Sequence, residues 1–141
     1  MKSYPLEIVQ PLKDELLEQG FREFQTIQDI DEVLKKPGTT FIVVNSVCGC
    51  SARGARPSAI EAVQQAAHPD RLYTVFAGYD MEQLDYLRNK YFLPYPPSSP
   101  SMALFRDGKL VHFVERRSIE GSHAVDLTAH LKAIFQQYCA H

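Results

Sequence analysis

The sequence predicts an α/β fold: a mixed four-stranded sheet flanked by helices on both faces, with a helical extension at the N-terminus. Three observations carry this. Two β-branched apolar runs, Thr39 to Val44 and Leu72 to Ala77, alternate with stretches of helical periodicity. Two further strand-like segments, Ser101 to Phe105 and Leu110 to Val114, are joined by Asp107-Gly108, a tight hairpin signal. A last amphipathic stretch carries Leu127, Leu131, Ile134 and Tyr138 on one stripe.

Taken in order, Leu6, Val9, Leu12, Leu16 and Phe21 recur at near-helical spacing and predict a first helix ending near Gly20. Thr26 opens a short second helix, with Asp29 three residues on in capping-box position, and Pro37-Gly38 stops it. Thr39 to Val44 is continuously apolar or β-branched, as expected of a central strand buried on both faces. Asn45-Ser46-Val47 leaves that strand and Cys48-Gly49-Cys50 follows at once. Ser51 to Ala67 is Ala-rich and helical in pattern, with Pro57 expected to kink or delay it. After the strand ending at Ala77, Asp80 caps a helix carrying Met81, Leu84 and Leu87. The run Pro94 to Pro100 is too proline-rich for a helix or a central strand. Ser122 caps the last helix. Strands joined by a helix run parallel and the hairpin runs antiparallel. The whole is the plan of the thioredoxin fold, extended at the N-terminus, in a single domain spanning residues 1–141.

Bulk composition narrows the function. The chain has 141 residues, 45% hydrophobic, enough for one sizeable core. Its formal net charge is -2 and it has no long basic tract, which gives a nucleic-acid role no electrostatic support. The strongest apolar run, Phe41 to Val44, is far too short to span a bilayer, and Met1 to Gln10 has no signal-peptide core. The expectation is a cytoplasmic protein that neither crosses a membrane nor is secreted. Three cysteines, Cys48, Cys50 and Cys139, do not build a structural disulfide framework. In a reducing compartment a close pair is catalytic or metal-binding before it is structural.

Cys48 and Cys50 fall between a buried strand and a helix start. Unpaired backbone N–H groups and the positive end of the helix dipole gather there, and both stabilise a thiolate. Arg53 and Arg56, about a turn further on, add positive potential. Such surroundings lower a thiol from about 8.5 to about 3.5–7.5. A disulfide across one intervening residue closes a small ring in which ideal torsions are hard to reach, and strain eases reduction. Gly49, without a Cβ, relaxes the backbone. The expected couple is more oxidising than a Cys-x-x-Cys reductase and suits disulfide exchange, isomerisation or removal of a small thiol cap. The competing readings are inert buried cysteines and a thiolate metal site. A metal site needs two more ligands, and His68, His112, His123, His130 and His141 show no paired spacing near the motif, so each reads as a surface residue.

Pro100 precedes a strand, and X-Pro bonds are the ones for which cis is accessible. A cis bond would turn the Ser99 backbone towards the cysteines, where it could pair with an extended substrate and keep metals away. The alternative is an ordinary trans proline at a loop end. Cys139, near a helix end, reads as bland, with a third redox thiol or a crosslink as the alternatives. Tyr91 to Pro97 reads as a plain loop, with a groove wall as the alternative.

The segments Val43-Val44-Asn45-Ser46-Val47-Cys48-Gly49-Cys50, Ala55-Arg56-Pro57, Thr74 to Gly78 and Pro96 to Ser101 resemble the bacilliredoxin family, also described as thioredoxin-like Cys-Gly-Cys proteins. Val111-His112-Phe113 and Ile119-Glu120-Gly121 extend the resemblance over nearly the whole chain. It implies a thioredoxin fold and removal of bacillithiol from protein mixed disulfides, with disulfide isomerase activity also attributed to the family. Cys48 then resembles the attacking nucleophile, Cys50 the resolving thiol and Pro100 the cis-proline. Asn45, Gly49, Arg53, Arg56, Ser99 and Pro100 are the expected substrate-binding residues. Ser51-Ala52-Arg53 departs from the small residues without Arg that many members carry, which alters charge at the site. The implied partners are bacillithiol-capped or disulfide-bonded client proteins and a low-molecular-weight thiol. Bacillithiol is a co-substrate, and no metal or organic cofactor is required. A protein disulfide isomerase or general oxidoreductase, and a non-catalytic thioredoxin-like binding module, stand as alternatives.

Overall fold

The computed structural model describes residues 3–140; Met1, Lys2 and His141, the last expected at the surface, lie outside the described residues. The first helix, α1 (Leu6–Leu17), ends where Gly20 turns the chain at φ 95°. A two-residue strand, β1 (Arg22–Glu23), follows, and then α2 (Ile27–Lys35). Thr26 caps α2: its side chain accepts from the Asp29 N–H while the Asp29 carboxylate accepts from the Thr26 N–H, a complete capping box.

The central strand β2 (Thr39–Asn45) is buried along its whole length. Its alternation feeds two cores. Phe41 and Val43 join Leu16, Leu104, Leu131 and Phe135 on one face. Ile42 and Val44 join Ile30, Leu34, Leu84, Leu87 and Phe105 on the other. After β2 a π-helical turn (Ser51–Ala55) runs straight into α3 (Arg56–Ala62). Pro57 lies in the first turn of α3, and the regular α-helix begins only at Arg56, behind the π-helical turn, as the delay expected of Pro57 requires. The helix stops five residues before Ala67, the end expected from composition.

Strand β3 (Arg71–Phe76) leads to α4 (Met81–Lys90), the hairpin β4 (Ser101–Arg106) and β5 (Lys109–Val114), a short α5 (Arg116–Glu120) and the long α6 (Ala124–Cys139). The hairpin turns on Asp107 at φ 51° and Gly108 at φ 83°, both left-handed as a type I′ turn requires. The sheet order is β1-β3-β2-β4-β5, so the sheet is five-stranded where the sequence predicts four. The added strand pairs parallel to β3 through Arg22 and Glu23. Two residues are too few to show strand periodicity. Among the described residues, α1, α3 and α6 cover one face and α2 and α4 the other.

Two caps differ from expectation. Asp80 precedes α4, but its carboxylate turns back to accept from the Phe76 N–H (2.8 Å) and from Lys13 (3.2 Å). His123, not Ser122, occupies the N-cap of α6, because α5 takes up the residues before it. The Tyr91 to Pro97 stretch is a packed loop: Phe92 meets Phe113 edge-on at 5.2 Å and Tyr95 stacks on Phe113 at 4.5 Å.

Candidate active site

Strand register assembles the site from three distant segments. Val44 near the end of β2 pairs with Ser101 at the start of β4, which sets the Ser99–Pro100 turn beside the residues leaving β2. Met102 pairs with Val114 at the end of β5, so α5 begins beside the same turn. The Ser99–Pro100 bond is cis.

Beneath the motif lies a buried polar frame. Asn45 and Arg56 are 1% and 2% exposed. The Arg56 guanidinium donates to Asn45 Oδ1 (3.0 Å), to the Ser46 carbonyl (3.0 Å) and to Glu15 (2.9 Å). Asn45 Oδ1 also accepts from the Ser46 N–H (2.8 Å), and its Nδ2 donates to the Leu12 carbonyl (3.1 Å). Neither side chain reaches the surface, which corrects their expected place as substrate-binding residues. They fix the loop that carries the cysteines. Above them the Ser46 and Ser51 hydroxyls share a hydrogen bond (2.8 Å), and Ser46 Oγ accepts from the Cys48 N–H (3.2 Å).

Cys48 sits at the head of the helix. Its carbonyl accepts from the Ser51 N–H (3.0 Å) and the Ala52 N–H (3.3 Å), so helical bonding starts from this residue. Its sulfur accepts from the Cys50 N–H at 3.3 Å, as an N-cap oxygen would. A second donor comes from Arg116, whose Nη2 lies 3.3 Å from Cys48 Sγ and whose Nη1 donates to the Ser99 carbonyl (3.2 Å). Glu120, one turn further along α5, pairs with Arg116 Nε and steadies the guanidinium plane. Burial works against charge on Cys48. The N–H and thiol of Cys50, the Arg116 charge and the Ser51 N–H outweigh it, so the pKa falls below that of an ordinary thiol. Cys50 moves the other way. Its hydrogen bond to Cys48 raises it most, then burial and the charges of Cys48 and Glu120, against Arg116. Both residues are partly exposed, and the surroundings favour the thiolate at Cys48 more than at Cys50.

Gly49 separates them, and a Cβ there would meet the Arg53 guanidinium at 2.8 Å, so Arg53 lies across the glycine on the exposed side of the motif. Of the expected substrate-binding residues, Gly49, Arg53, Ser99 and Pro100 surround the cysteines, while Asn45 and Arg56 lie underneath. Arg116 is absent from the sequence-based set. It is 68 residues from Cys48, and only the β2–β4–β5 register brings it there.

Cys139 belongs elsewhere. Its thiol is raised by burial and hydrogen-bonds Thr39, at the opposite end of β2 from the motif. Six residue steps of strand, about 20 Å, separate the two ends. His112 and His130 are not isolated surface rings: their Nε2 atoms lie 2.9 Å apart between β5 and α6. Among the described residues no group of three or more His, Cys, Asp or Glu is arranged to hold a metal ion, and no helix is long and apolar enough to cross a membrane.

A thioredoxin fold with a cysteine of lowered pKa at the head of its helix and a second cysteine two residues away defines a thiol–disulfide oxidoreductase. Solved structures support the fold. A putative oxidoreductase with a thioredoxin fold superposes with a TM-score of 0.64 over 82% of this chain and 96% of its own, at 17% identity. Oxidised thioredoxin from Plasmodium falciparum gives 0.58 over 85% and 99%, at 16% identity.

The model of the family described as Disulphide isomerase matches residues 4–139, and the chain belongs to that family, whose curated relatives are named bacilliredoxins. It is 48% identical to the bacilliredoxin of Cytophaga hutchinsonii over 95% of this chain and 98% of that protein. It is 46% identical to a bacilliredoxin of Geobacillus kaustophilus over 98% and 96%. A Staphylococcus aureus bacilliredoxin is 43% identical over 94% and 90%.

Proposed function

We propose that this oxidoreductase removes bacillithiol from mixed disulfides on client proteins, with Cys48 as nucleophile and Cys50 as resolving thiol. The observation that carries the reading is the opposite displacement of the two thiols: Cys48 is lowered by donors that converge on it, and Cys50 is raised chiefly by Cys48 itself. The Cys48 thiolate attacks the bacillithiol sulfur of a client–S–S–bacillithiol disulfide. A Cys48–S–S–bacillithiol bond forms, the client bond breaks, and the client leaves as thiolate. Capture removes the charge on Cys48 and weakens the Cys50–Cys48 hydrogen bond, the influence that raises Cys50 most. Cys50 becomes easier to ionise only after capture. It attacks Cys48, forms the Cys48–Cys50 disulfide and releases bacillithiol; alternatively a second free thiol clears the adduct. Gly49 lets the backbone close over the pair, and the Ser99 carbonyl and Pro100 turn offer an edge to an extended client segment. The chemistry needs no metal or organic cofactor and belongs to the reducing cytoplasm.

The family description favours a second reading, rearrangement of protein disulfides by the same Cys48 thiolate. One experiment separates the readings. A bacillithiol-capped client is offered to the wild type, Cys48→Ala and Cys50→Ala, and masses are followed. We expect no transfer with Cys48→Ala and an accumulating bacillithiol adduct on Cys48 in Cys50→Ala. Activity retained by Cys48→Ala refutes the assignment of the nucleophile. An inert wild type that nonetheless reactivates a scrambled disulfide substrate moves the function to isomerisation.

A further inference from the structure

We propose that His112 and His130 form a binding site for one divalent first-row metal ion, in a cleft that neither motif cysteine bounds.

The two rings come from different elements and meet at one point. His112 stands on the edge strand β5, opposite Leu104 of β4. His130 stands on α6, next in sequence to Leu131 and three residues after Leu127, both buried in the core. Packing therefore fixes both backbones, and the Nε2 atoms end 2.9 Å apart. Without an ion this contact is a hydrogen bond between neutral rings, one carrying its hydrogen on Nε2 and the other accepting. When the donating ring moves that hydrogen to Nδ1, two Nε2 lone pairs face the same point. A neutral imidazole nitrogen is the form that binds metal.

The separation bears on the ion. Two nitrogens about 2.0–2.1 Å from one ion stand about 2.9 Å apart at a right angle, and about 3.3 Å apart at the tetrahedral angle. The 2.9 Å found here matches the right-angled positions of Ni²⁺ or Cu²⁺. Zn²⁺ fits after the pair opens by about 0.4 Å.

Charge and access suit a cation. The cleft holds about 380 Å³. Asp126, one turn before His130 on the same side of α6, bounds it, and among the described residues no lysine or arginine does. His130 is exposed and His112 half-buried, so an ion enters from solvent. The described residues place no third ligand with the pair. Asp126 therefore contributes field and not a bond, and water fills the remaining positions, with the Ser118 and Ser122 hydroxyls on the cleft wall to receive its hydrogens. A bound ion ties the edge strand to the helix that covers it.

Thiolates bind the same ions, so the test uses the full untagged chain carrying Cys48→Ser and Cys50→Ser, titrated with nickel chloride in a calorimeter. We expect one equivalent to bind and the melting temperature to rise. Adding His112→Gln or His130→Gln should weaken binding by about 100-fold, because one imidazole of a chelating pair remains. His68→Gln, at a histidine outside the cleft, should leave binding unchanged. Absence of one-to-one binding, or binding that survives His112→Gln and His130→Gln, overturns the proposal. Should either variant fail to fold, ring-proton spectra of the chain with both histidines in place decide the matter. Substoichiometric Cu²⁺ should broaden His112 and His130 first, and broadening that begins at any other histidine overturns the proposal.

Discussion

At the scale of single residues, the sequence singles out the two sulfurs of the proposed chemistry and misses Arg116, which lies against one of them. Cys48 and Cys50 are legible because two thiols one residue apart at a strand-to-helix junction suit exchange chemistry far better than packing. Arg56 is read with the right charge and the wrong place. A charged side chain so near an active motif suggests surface potential, but this one is buried by its bonds to Asn45, Ser46 and Glu15. Its role follows from that burial. Arg56→Met keeps the stem's packing and leaves the Ser46 carbonyl without its guanidinium donor. We expect a loss of about 1–3 kcal/mol in urea unfolding together with slower exchange, because the loop carrying Cys48 loses its anchor. Unchanged stability and rate would show that the frame is dispensable.

At the scale of elements, long periodic segments are legible and short ones are not. The capping box at Thr26, the buried β2 and the Asp107-Gly108 turn all form where local chemistry puts them. Strand β1 and helix α5 have two and five residues, too short to impose a pattern on the sequence. Their positions depend on tertiary partners. For β1 the partner is Lys13 on α1. This buried ammonium meets Glu23 of β1 at 2.7 Å and Asp80 before α4 at 3.2 Å, and lies 4.6 Å from the centre of the Tyr79 ring. Burial lowers its pKa, but Glu23 and Asp80 together raise it above the usual lysine value. Lys13→Met removes the cation that separates two carboxylates. We expect a loss of about 2 kcal/mol, read by urea unfolding, with faster amide exchange at Arg22 and Glu23. A variant as stable as the wild type would show that the sheet edge holds without the ion pairs.

At the scale of the molecule, the sheet is what brings the chemistry together. The carboxyl end of β2 supplies Cys48, the amino end of antiparallel β4 supplies Ser99 and Pro100, and the carboxyl end of β5 delivers Arg116. The same geometry sends Cys139 to the other end of β2, beside Thr39. No local pattern in the sequence carries this information: Arg116 resembles any exposed arginine until the strands are registered. The proposed chemistry then depends on one asymmetry, a sulfur whose pKa is lowered beside a neighbour whose pKa is raised.

Site-resolved alkylation of the wild type with iodoacetamide across pH, read by mass, tests that asymmetry most directly. Cys48 should reach half its maximal rate below the ordinary thiol value of about 8.5, with Cys50 titrating above it. The Cys48 profile should move to higher pH in Arg116→Gln. Coincident profiles in the wild type, or Cys50 alkylated at lower pH than Cys48, would contradict the account.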